Sequence, residues 1–124
     1  MGIFTWIINW FRSNKVIMKL AIQDIAYRYF QRKPEMKSKV ADILGRTLTA
    51  INTSTTSAID FQAILKDNIK LANLTPPEQE FMLSFTTDLS VPVNVYFSKT
   101  ALSLADQTAA IKEVIGWVND MTKY

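Results

Sequence analysis

Three carboxylates, Asp106, Glu113 and Asp120, recur every seven residues and would share one face of a helix. Grouped carboxylates can hold hard cations or exchange protons with a substrate. Seven residues of helix set successive members about 10 Å apart along the axis, too far for one ion. The row therefore reads as solvated helix surface. Asp60 and Asp67 repeat the spacing, with Lys66 and Lys70 nearby, and carry the same meaning.

The groups on which most catalysis relies are missing. The chain has no histidine and no cysteine. Serine triads, zinc sites of the usual kind, thiol nucleophiles and disulfides are thereby excluded. Its three glycines, Gly2, Gly45 and Gly116, lie too far apart in sequence to form a phosphate-cradling loop. P-loop and Rossmann-type nucleotide binding is excluded with it. Carboxylates, lysines, tyrosines and hydroxyls remain, without a diagnostic grouping. The expectation is a non-enzyme with no catalytic residue, no metal, no cofactor and no small-molecule substrate.

Charge and apolar surface point to a different kind of chemistry. The chain has 124 residues, 48% of them apolar and 20% charged, which fits one globular domain. Its net charge of +3 is uneven. Residues 1 to 33 carry Arg12, Lys15, Lys19, Asp24, Arg28, Arg32 and Lys33, a balance of +5, and the remainder balances at −2. A basic end of this kind suits an anionic partner, although basic residues also simply solvate helices.

Ahead of those cations lies the run Ile3-Phe4-Thr5-Trp6-Ile7-Ile8-Asn9-Trp10-Phe11-Arg12. On a helix its apolar residues cover slightly more than half the circumference. The run of about ten residues is half of the ~20 a spanning helix needs. No charge precedes the run and no small-residue cleavage site follows it, unlike a standard signal peptide. Trp6 stands where a myristoylation signal has Ser or Thr.

The segment is expected to be an interfacial or buried helix. The candidate docking residues are Ile3, Phe4, Trp6, Ile7, Trp10, Phe11, Arg12, Lys15 and Lys19. Three modes fit them: a protein partner, a second copy of the chain, or peripheral contact with a membrane surface. Packing into the protein's own core is the plain alternative for Trp6 and Trp10. Nucleic-acid binding through the basic side of residues 12 to 33 is a further alternative. It is less favoured, because no recognition motif is present and +5 is modest.

Periodicity and punctuation supply the elements that would present these residues. Ser13-Asn14 reads as a cap between a first helix and a second over 15–33. In the second, Met18, Ile22, Ile25 and Tyr29 form one apolar stripe, and Val16, Leu20 and Tyr27 another. Two apolar faces imply two neighbours. Pro34 ends that helix and suits the start of the next, over 35–51, with Met36, Val40, Ile43, Leu44, Leu48 and Ile51 in phase. Gly45 within it could admit a close helix.

A hydroxyl run follows at 53–57, and Ser57 with Asp60 suggests a cap for a helix over 58–73 facing inward through Phe61, Ile64, Leu65, Leu71 and Ala72. Thr75-Pro76-Pro77-Glu78 is a capping box with prolines in the first turn. It opens a helix to about residue 88 that buries Phe81, Met82, Phe85 and Leu89. Residues 90–99 alternate like a strand, yet no partner strand exists, so a short helix opened by Pro92 is preferred. Ser103 with Asp106 caps a last helix over 104–121, with Leu104, Ile111, Ile115 and Val118 in one stripe and Ala110, Val114, Trp117 and Met121 beside it.

The fold class expected is all-α: a compact bundle of five or six short helices with an apolar, basic-flanked N-terminal helix. Residues 1–33 form basic amphipathic helices packed on the rest, and residues 34–124 form the bundle. The functional expectation is a non-catalytic structural or interaction protein, intracellular or virion-associated. The composition suits a small viral or phage accessory component.

Overall fold

A computed structural model of the protein describes residues 3–53 and 59–124, with side chains from residue 14 onward in the first segment. The chain is all-α, a bundle of five helices: α1 (Ile3–Arg32), α2 (Lys37–Thr53), α3 (Phe61–Leu71), α4 (Pro76–Lys99) and α5 (Leu104–Met121). A 3₁₀ turn, Pro34–Met36, joins α1 to α2. No strand occurs among the described residues.

The inner stripe of α1, Met18, Ile22, Ala26, Tyr29 and Phe30, is buried. It lies against α4 and α5. Tyr29 stacks on Phe85 at 4.8 Å between ring centres and meets the edge of Phe81 at 5.3 Å. Phe30 closes the cluster against Phe85 at 5.6 Å. Val40, Ile43, Leu44 and Ile51 of α2, Phe61, Leu65 and Ile69 of α3, and Ile111, Val114, Ile115 and Val118 of α5 complete one continuous core. Buried Thr47, Asn68, Thr86 and Ser90 each donate to a carbonyl three or four residues back, so their polarity is satisfied within their own helix.

Local punctuation acts largely as its residue types require. The Thr75 backbone N–H and hydroxyl both donate to the Glu78 carboxylate, at 3.0 and 2.9 Å. Lys39 of α2 holds the other Glu78 oxygen at 2.6 Å and ties the two helices together. Ser103 accepts from the Asp106 amide at 3.2 Å. Asp60 is itself the N-cap of α3, accepting from the Ala63 amide at 3.1 Å. Its expected partner Ser57 lies outside the described residues. Beyond α3, Asn73 takes φ of +53°, a left-handed position that asparagine tolerates better than most residues.

Four expectations are corrected. First, residues 3–32 form one helix, and Ser13-Asn14 does not cap a second. Serine and asparagine cost only about 0.7 kcal/mol or less each within a helix. A break would instead free up to eight backbone groups and require a new nucleus. Second, the helix from Pro76 runs on to Lys99 through Pro92. Proline cannot bond the Asp88 carbonyl, but burial of Ser90 and Val93 on the side already holding Phe85 and Leu89 keeps the helical phase. Third, Leu71 and Leu104 sit at helix ends and are over half exposed, while Ile69 takes the inward place on α3. Fourth, a Cβ at Gly45 would meet nothing within 4 Å, so no helix approaches there.

Candidate docking face and interhelical groove

From residue 14 onward α1 carries apolar side chains on more than the face the bundle covers. Ile22 is 0% exposed, yet Leu20, two residues earlier, is 60% exposed. Val16 and Tyr27 lie on the same outer row and are each 53% exposed. The Tyr27 hydroxyl accepts from Gln31 Nε2 at 2.7 Å, which orients the ring along the helix.

A second apolar surface lies between α1 and α4, which run antiparallel: Tyr29 meets Phe81 and Phe85, while Lys15 lies near Tyr96. The two helices leave an open groove of about 1100 Å³. Ile17, Ala21 and Ile25 form one wall and Val91, Pro92 and Val95 the other. Polar side chains gather at its ends. Asn14, Tyr96 and Lys99 border one end, and Arg28, Arg32, Tyr29 and Asp88 the other. The Asn14 side-chain amide is buried without a hydrogen-bond partner, an uncompensated donor of a kind proteins rarely leave.

Electrostatics at the arginine end are set by burial and stacking. The Tyr29 hydroxyl donates to the Asp88 carboxylate in a short hydrogen bond. Burial pushes the Tyr29 phenol up to about 12, and the Asp88 bond and charge add to that. The Arg32 guanidinium lies 4.5 Å from the centre of the Tyr29 ring. Arg28 pairs with Asp24 at 3.0 Å, both side chains largely exposed.

Of the residues expected to dock, Ile3, Phe4, Trp6, Ile7, Trp10, Phe11 and Arg12 fall in the part of α1 whose side chains lie outside the described set. Lys19 is exposed. Lys15 is engaged inside the protein: its ammonium donates to Glu113 of α5 at 2.6 Å, which raises its pKa against the opposing effect of burial. The carboxylate row of α5 is thus partly tied down, with Asp120 also 3.9 Å from Lys123.

The groove escaped the sequence reading because its walls come from helices about 70 residues apart. Its only local trace was the exposed valine pair, Val91 and Val95, four residues apart. Among the described residues no group of three or more metal-ligating side chains occurs, and no helix is long and apolar enough to cross a membrane. Comparison with known proteins finds no matching family, no similar curated protein and no similar solved structure.

Proposed function

We propose that this is a non-catalytic helical interaction protein that docks through the outer face of α1. The observation that carries the reading is the row Val16, Leu20 and Tyr27, three large apolar side chains over half exposed on a helix that buries Met18, Ile22, Ala26 and Tyr29 on its other side. Scattered exposed apolar residues are ordinary, but a row aligned on one helix face is a contact surface.

A second copy of the chain is the occupant that this row favours. Antiparallel pairing of two α1 helices can set Val16 beside Tyr27 of the other copy. Such a contact is isologous, the commonest geometry for self-association. Nucleic-acid binding has weaker support, since Lys15 is tied to Glu113 inside the protein and a balance of +5 over 33 residues is modest.

Sedimentation velocity on the full chain tests the reading. The expected result is a concentration-dependent dimer, dissociated by Leu20→Lys with an unchanged melting temperature in dilute, monomeric protein. A dimer indifferent to Leu20→Lys, or a strict monomer at hundreds of micromolar, overturns self-docking through this row.

A further inference from the structure

The α1–α4 groove is distinct from the outer row of α1, and its polarity is arranged differently. We infer that it binds a single long-chain amphiphile with an anionic head, the chain lying between Ile17, Ala21, Ile25, Val91 and Val95 and the head at Arg28 and Arg32. This reading goes beyond docking through α1, and neither test decides the other.

Three observations carry it. The first is segregation along the groove. Its middle is aliphatic, and its walls are helical, so their backbone groups are bonded internally apart from the Asp88 carbonyl, which Pro92 leaves without its helical donor. Charged side chains stand at the ends. A partner helix would instead call for polar rims along both sides of its apolar stripe.

The second is length. Ile17 and Arg28 are eleven residues apart on one helix, about 16 Å along its axis. The acyl chains of one bilayer leaflet span a similar distance, about 15 Å. The volume of about 1100 Å³ lies just above the range of ordinary ligand sites, room for an acyl chain with its head.

The third is charge. Arg28 and Arg32 are four residues apart and so are neighbours on α1. Two guanidinium groups so placed suit a phosphate or carboxylate, which each can engage through paired N–H donors. Among the described residues Arg28 is otherwise held by an exposed pair with Asp24, which contributes little and yields to a stronger anion. Asp24 and Asp88 are the opposing charges at this end; one Asp88 oxygen accepts from the Tyr29 hydroxyl, while Asp88 itself is exposed and lines the groove.

An anionic-headed chain could come free from solution or from a membrane leaflet, and the groove fits one molecule removed from either. The test uses the full chain and dodecyl phosphate below its micelle-forming concentration, followed by calorimetry and by the methyl NMR signals of the isoleucines and valines. Expected are saturable one-to-one binding, shifts confined to Ile17, Ile25, Val91 and Val95 among those methyls, and at least tenfold weaker binding of dodecyl maltoside. The double variant Arg28→Gln/Arg32→Gln should lose about tenfold or more for the phosphate and little for the maltoside.

Val91→Asp places a carboxylate in the aliphatic wall at a position already 59% exposed, so it should abolish binding and keep the parental melting temperature. A second arm mixes the protein with vesicles doped with dodecyl phosphate: a protein that stays in the supernatant with bound amphiphile supports single-molecule capture. Unsaturable uptake, equal affinity for the two heads, binding untouched by Val91→Asp, or vesicle sedimentation without monomer binding would each overturn the inference.

Discussion

Leu20 and Ile22 stand two residues apart on α1 and lead different lives. Ile22 is sealed among α1, α4 and α5, whereas Leu20 faces outward at 60% exposure. Both are large aliphatic side chains, and the sequence marks both stripes as apolar. The difference lies in how many neighbours the rest of the chain supplies. Helices α4 and α5 with the 3₁₀ turn cover one face of α1, and α1 and α3 cover part of α4; the surplus apolar surface becomes the outer row and the groove. What is unburied within one molecule is what remains available to another.

Truncation at the two positions is the sharpest way to break this contrast. Ile22→Ala should cost about 2–5 kcal/mol, lowering the melting temperature by roughly 10 °C or more, because its cavity is closed on all sides. Leu20→Ala should stay within about 0.5 kcal/mol in dilute, monomeric protein. Equal effects in a thermal melt followed by circular dichroism would mean that the outer row is packed after all.

Tyr29 extends the contrast to pH. Its phenol sits at about 12 in the folded protein against an ordinary 10.0, so the neutral form is favoured by folding. That contribution is fully present below pH 10 and is lost as pH rises from 10 to 12. Absorbance titration at 295 nm should therefore show a late step that Tyr29→Phe removes. Asp88→Asn should bring the late step earlier by removing the nearby charge.

Smaller effects sharpen the picture at helix ends and surfaces. Gly45→Ala should stabilise by about 0.5–1 kcal/mol, since open space surrounds the new Cβ and the helix gains a better former. Glu78 is held down to about 2 by Lys39 first and by Thr75. Its contribution is present above its ordinary value of 4.5 and is lost as pH falls from there towards 2. The melting-temperature gap between the parent and Glu78→Gln should close across that same range.

The smallest effect is expected at Lys15 and Glu113, whose side chains are 45% and 41% exposed. A double-mutant cycle there should give about 0.2–1 kcal/mol, shrinking with salt. A much larger coupling would show that this end of α1 is held to α5 more firmly than its exposure implies.

Much of the bundle was legible before any coordinates. The Thr75–Glu78 box, Pro34 at the start of the turn into α2, and the phase of Val40, Ile43, Leu44 and Ile51 are all written within four residues. So is the inward stripe of Met18, Ile22 and Tyr29. These features depend on i, i+3 and i, i+4 geometry, which the backbone imposes wherever the helix forms. The reading failed where local signals were outweighed. Ser13-Asn14 looks like a cap and Pro92 like a boundary, yet continuous packing on either side carries the helix through both.

By itself, then, the sequence determined the helical class, most of the helix ends and the absence of histidine and cysteine chemistry. Only the tertiary structure decided which of two similar apolar stripes on α1 would be covered. It alone brought Arg28 and Arg32 to the end of a groove shared with Val91 and Val95. Helical periodicity says that a face is apolar, but coverage depends on the number and direction of neighbouring helices. That is set by contacts between residues far apart in the chain, which no local pattern encodes.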